Sequence, residues 1–84
     1  MSITIIIQAV DMNNPIKVQV NQTDYIKDAK RKFVDNGGKS QYNQWIYDAE
    51  ILDDNKKIKD YNIEDKDEIT ANESWRGGLN QLKS

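Results

Sequence analysis

The residues whose types and spacing could carry chemistry are few. All four glycines fall into two pairs, Gly37-Gly38 and Gly77-Gly78, and the second pair follows Arg76 near the end of the chain. Successive glycines combine minimal bulk with maximal backbone freedom, the properties of a segment that a partner threads through a narrow channel. Arg-Gly-Gly alone is a weak motif, because it also occurs in chains without fixed structure. The rest of the inventory is exclusionary. There is no cysteine, hence no disulfide, thiolate metal site or cysteine nucleophile, and this fits an intracellular protein. There is no histidine, so the usual general base and the commonest metal ligand are both missing. The carboxylates are spread among lysines as on a solvated surface. No catalytic residue, metal ligand or cofactor site is assigned, and the chain reads as a non-enzyme.

Charge and hydropathy narrow the partners. The 12 basic and 14 acidic residues leave a net charge of −2, and a pI near 5.0 gives no field for phosphates, which argues against nucleic acid. No stretch approaches the roughly 20 apolar residues that span a bilayer. Ile3 to Val10 is too short for a signal sequence and lacks a basic region before it. The expectation is a soluble monomer of the cytoplasm, with the nucleus as the alternative, whose partners are proteins and not membranes.

The elements that must position these residues follow from apolar periodicity. Ile3, Ile5 and Ile7 alternate with Thr4, Ile6 and Gln8, which predicts a strand to about Ala9 with one face on a core. Asp11 to Pro15 carries turn chemistry, and Ile16, Val18 and Val20 repeat the alternation as an antiparallel second strand. Thr23 or Asp24 is placed to cap a helix whose Ile26, Ala29 and Phe33 form one apolar stripe. Gly37-Gly38 stops it near Asn36. Trp45-Ile46-Tyr47, Ile51-Leu52 and Glu68 to Ala71 read as strands, with a turn near Asp48-Ala49 and with Ile69 and Ala71 facing inward. The order is two strands, a helix, two further strands of which the second is short, and a last strand. One helix packed across a mixed sheet buries these faces together, an α+β arrangement known as the β-grasp, with the first and last strands parallel at the centre. The expected core is Ile5, Ile7, Ile16, Val18, Ile26, Phe33, Leu52, Ile58 and Ile69. The domain spans 1–73, and 74–84 is a tail.

From Gln44 onward the chain resembles the second half of ubiquitin without gaps. Trp45-Ile46-Tyr47, Leu52-Asp53-Asp54, Ile58, Asp60-Tyr61-Asn62-Ile63, Ile69 and Arg76-Gly77-Gly78 all stand at ubiquitin's spacing. The first half is similar in pattern, with a longer first turn, so the resemblance runs from Ile3 to Gly78. Asp60-Tyr61-Asn62-Ile63 reads physically as a loop lock, a tyrosine whose hydroxyl meets backbone amides while its ring covers apolar neighbours.

The resemblance implies a ubiquitin-like modifier made as a precursor, trimmed after Gly78 with Leu79 the first residue removed, and joined through the Gly78 carboxylate to amines of target proteins. Its implied partners are activating and conjugating enzymes, a processing protease and the targets. Arg76 would assist recognition of the tail. Ubiquitin's apolar recognition patch corresponds to Val10, Ile46, Thr70 and Asn72, where Ile46 is retained and the rest is diluted. Ubiquitin's tail has leucines before its arginines, whereas here Glu73-Ser74-Trp75 precedes Arg76; Trp75 is either an anchor for a partner or a side chain folded back over the sheet edge. The two lysines best known for extending ubiquitin chains fall at Glu50 and Asp65. Lys30 and Lys32 remain at lysine positions, Lys30 half-buried, while Lys56, Lys57 and Lys59 read as a solvated loop. Two other roles share the fold: a non-covalent interaction domain or adaptor, and, ranked last, a sulfur carrier.

Overall fold

The computed structural model describes residues 2–9 and 12–73. Five strands and one helix form in the expected order: β1 (Ser2–Ala9), β2 (Ile16–Asn21), α1 (Ile26–Asp35), β3 (Gln44–Tyr47), β4 (Glu50–Ile51) and β5 (Glu68–Asn72). A 3₁₀ turn at Ile58–Tyr61 precedes β5. The sheet order is β2-β1-β5-β3-β4, with β1 and β5 parallel at its centre and the other pairs antiparallel. This is a β-grasp.

Alternation decides which face of each strand is covered. Ile3, Ile5, Ile7 and Ala9 of β1, Val18 and Val20 of β2, and Ile69 and Ala71 of β5 are buried. Ile26, Ala29 and Phe33 meet them from α1. Trp45 adds the largest fully buried side chain. It fits because its neighbour on β5 is Ala71, whose neighbour on β1 is Ala9, so two small residues leave room for one large one. The indole N–H donates to the Tyr42 carbonyl at 3.0 Å, and the Phe33 ring meets the indole edge-on at 5.7 Å.

Four expectations need correction. Ile16 is half-buried and only packs against the core, because β2 begins there, at the end of the sheet. Neither Thr23 nor Asp24 caps the helix. The Asp24 carboxylate accepts the Asn21 N–H at 2.9 Å and the Lys32 ammonium at 3.4 Å, so it is committed elsewhere. The helix start is instead sewn onto a loop: the Ile26 and Lys27 amides donate to the Lys56 and Asp54 carbonyls at 2.8 and 3.3 Å. The short strand lies one residue earlier than expected, at Glu50–Ile51, and Leu52 is buried just beyond it. The glycine pair at the helix end divides its labour. Gly37 takes φ +105°, which only glycine adopts readily, whereas Gly38 lies so close to the Phe33 ring that a Cβ there would collide with it.

The loop lock forms as read. The Asp53 N–H donates to the Tyr61 hydroxyl at 2.7 Å, and the Lys57 N–H donates to the Asp60 carboxylate at 2.8 Å. Asn62 takes φ 58°, and Ile63 is buried beyond it. A second lock joins the approach to β5 onto β1 and β3. Asp65 accepts the Thr4 N–H at 2.8 Å, the Lys66 N–H donates to the Thr4 carbonyl at 2.6 Å, and the Tyr47 hydroxyl donates to Asp67 at 2.5 Å. The hydrogen bond to Asp67, followed by partial burial and nearby negative charge, pushes the Tyr47 phenol up to about 12.

Two measurements check this packing. Gly38→Ala should destabilise the domain by about 1 to 3 kcal/mol, the usual range for a forced overlap in a packed interior, read as a shifted midpoint in urea unfolding. Tyr47 holds its proton more tightly when folded than the ordinary value near 10 allows unfolded. Its contribution is therefore complete below pH ~10 and is lost as pH rises toward about 12. Unfolding midpoints across that window should fall more steeply for the parent than for Tyr47→Phe.

Candidate protein-binding face

Because Trp45 points into the core, Ile46 must point out of it. Its cross-strand neighbours are Ile51 on β4 and Thr70 on β5, and Thr70 in turn lies beside Gln8 of β1. Directly opposed residues share a face, so Ile51, Ile46, Thr70 and Gln8 form one row across four strands. Gln44 and Asn72 make the row on one side, and Glu68, Ile6 and Lys17 the row on the other. Ile46 and Ile6 are half-buried, Thr70 is exposed, and Ile51 is 59% exposed.

The apolar centre of this face is the Ile46–Ile51 pair, at the β4 edge. The turn that sets their register runs through Asp48 and Ala49, both left-handed at φ 54° and 64°, the two-residue hairpin geometry that matches strand twist. Toward β1 the face becomes polar. The Gln8 amide donates to the Ala9 and Met12 carbonyls at 2.9 and 3.2 Å, which ties that end of the row to the β1–β2 turn. Of the expected binding residues, the structure brings Ile46 and Thr70 together; Val10 and Trp75 lie outside the described residues, as do Arg76, Gly77 and Gly78. Sequence reasoning passed over Ile51, although the signal was present: with Leu52 in the core, strand alternation turns its predecessor outward.

Just beyond β5, Gln41 donates its side-chain amide to the Glu73 carboxylate at 2.5 Å. The two helix lysines are engaged as well. Lys30, whose side chain is 16% exposed, pairs with Asp54 at 2.6 Å and donates to the Asn43 carbonyl, and Lys32 donates to the Gln19 carbonyl at 3.2 Å. Both therefore hold the fold together. Among the described residues no cluster of carboxylates could hold a metal ion.

The ubiquitin family matches residues 5–74, and the chain belongs to that family. Among solved structures it is similar to the C-terminal ubiquitin-like domain of human 2'-5'-oligoadenylate synthetase-like protein (p59 OASL). The TM-score is 0.76 at 19% identity, over 88% of this chain and 85% of that one. Comparison with curated proteins finds no match. Domains of this class mediate contacts between proteins.

A partner held on the outer face should perturb the methyl signals of both Ile46 and Ile51. Ile51→Lys should leave stability within about 0.5 kcal/mol of the parent, as for other exposed positions, yet weaken the complex tenfold or more by charging the centre of the patch. Calorimetric titration of the parent and variant checks this. Perturbations confined to Lys27 and Arg31 on the helix would contradict the choice of face.

Proposed function

We propose that this protein is a ubiquitin-like modifier, made as a precursor, trimmed after Gly78 and joined through the Gly78 carboxylate to amines of target proteins in the cytoplasm or nucleus. The observation that carries this reading is the sequence Arg76-Gly77-Gly78, three residues beyond Glu73, whose spacing resembles that of ubiquitin's own conjugated terminus. The chemistry belongs to partner enzymes. Cleavage of the Gly78–Leu79 bond by water frees a carboxylate. Adenylation by ATP then releases pyrophosphate, and a partner thiol displaces AMP to give a thioester. A lysine amine finally displaces the thiol and forms the isopeptide bond. This chain contributes an unhindered acyl group at Gly78, the bare Gly77 before it, Arg76 for recognition, and the face around Ile46, Thr70 and Val10 for docking.

A second reading is a non-covalent interaction domain, supported by the likeness to a domain that lies at the C-terminus of a larger protein. In the modifier reading, Glu73-Ser74-Trp75 stands where ubiquitin's tail has leucines before its arginines, so enzymes that read ubiquitin itself should read this tail poorly and the system would be a dedicated one.

The two readings separate in lysate of the source cells. The parent should be shortened and should form higher-mass adducts on a denaturing gel. Gly78→Ala should do both at least tenfold more slowly, since a narrow channel rejects one added methyl, with its melting temperature unchanged. If neither protein is shortened or forms adducts while both capture the same partner, the domain is an adaptor.

A further inference from the structure

The sheet has two edges, and they are closed in different ways. β4 forms one edge and is 2 residues long, too short to template a further strand. β2 forms the other with 6 residues, an ordinary strand length, so its outer side carries backbone groups able to pair with another chain. The surroundings of β1 show which groups those are. Thr4 and Ile6 turn their backbones toward the approach to β5: the Thr4 carbonyl accepts the Lys66 N–H, and the Ile6 N–H donates to the Asp67 carbonyl. Ile3, Ile5 and Ile7 therefore exchange the ladder bonds with Val20, Val18 and Ile16, their partners in register. Lys17, Gln19 and Asn21 are left with N–H and C=O groups that point away from the sheet.

Three side chains from the helix side occupy that edge. The Lys32 ammonium donates to the Gln19 carbonyl at 3.2 Å, the Asn36 side-chain amide donates to the Lys17 carbonyl at 3.4 Å, and the Asp24 carboxylate accepts the Asn21 N–H at 2.9 Å. Lys32 and Asp24 also pair with each other at 3.4 Å, which links the contacts. The spacings match. Residues two apart on a strand lie about 6.8 Å apart, and residues four apart on a helix about 6 Å, so Lys32 and the capping Asn36 reach two successive outward carbonyls. Water would satisfy those exposed carbonyls equally well, so the bonds add little net stability. Their larger effect is on access, because a second strand cannot pair with β2 while these side chains are in place.

We propose that Asp24, Lys32 and Asn36 are a guard that closes the β2 edge and keeps the protein monomeric, and that the strand they exclude is β2 of a second copy of this chain. The edge is self-complementary. In an antiparallel pair centred on Gln19, Lys17 lies opposite Asn21 of the second copy and Val18 opposite its Val20, so no like charges are opposed. Such a pair has two-fold symmetry and consumes both β2 edges, and with β4 too short to extend the sheet it stops at a dimer. The guard operates in a conjugated modifier and in an interaction domain alike, since it concerns the edge of the sheet remote from Ile46 and Ile51.

The test is sedimentation of the full chain over a range of concentrations. The parent should remain monomeric. Lys32→Met with Asn36→Ala keeps the apolar stem of residue 32 and removes both donors, and its weight-average mass should rise toward twice the monomer value as concentration increases. The fluorescence of buried Trp45 should report an intact fold. In the dimer, hydrogen exchange at the Lys17 and Gln19 amides should slow severalfold relative to the parent, because these outward groups then have acceptors. Adding Gln19→Pro removes an outward N–H at a place where an edge strand tolerates proline, and the mass should return to that of the monomer. Each single variant, Lys32→Met or Asn36→Ala, is milder and should associate in the same way at higher concentration, which decides the matter if the double variant does not fold. A parent that is already dimeric, or folded variants that stay monomeric throughout, would overturn the proposal. So would a dimer that forms without slowed exchange at Lys17 and Gln19 or survives Gln19→Pro.

Discussion

The edge-on contact of Phe33 with Trp45, with Gly38 against the Phe33 ring, is the interaction on which the rest of the structure depends. It pins the last turn of α1 to β3 and sets the path of the loop between them. It also determines the sense of β3, because an indole buried beneath the helix leaves Ile46 no direction but outward. The large side chain is accommodated by Ala71 and Ala9 beside it. One packing decision therefore places both the outward Ile46–Ile51 pair and the loop that carries Gln41.

The parallel pairing of β1 with β5 supplies the other constraint. It centres the sheet on its most apolar strand, and by continuing into Asn72 it brings the end of the domain alongside β3 and Gln41. Ile46 on β3 is the direct neighbour of Thr70 on β5, so the outward apolar pair lies one strand from the strand that ends at Asn72.

Strong local periodicity made much of this legible. The inward set of β1, the α1 stripe and the Ile69–Ala71 alternation all emerge from spacing, and the Tyr61 lock from residue chemistry. Where the sequence misled, a tertiary contact had taken over a local role. Asp24 looks like a cap but bonds Asn21 and Lys32, and its job passes to the carbonyls of Asp54 and Lys56. Trp45 sits in a strand too short to show a period, so its burial becomes evident only with Ala71 and Phe33 in place. Ile51 was hidden by a one-residue error in a two-residue strand. The tail gave only a family resemblance, because two glycines carry no side chains whose pattern could be read.

The claim that the glycine pair is a conjugation terminus is tested most directly by the intact mass of the protein recovered from its own cells. The expected result is a free form that ends at Gly78, lacking residues 79–84, together with adducts in which Gly78 is bonded to a target lysine. Recovery of every species with Leu79 to Ser84 still attached would contradict it.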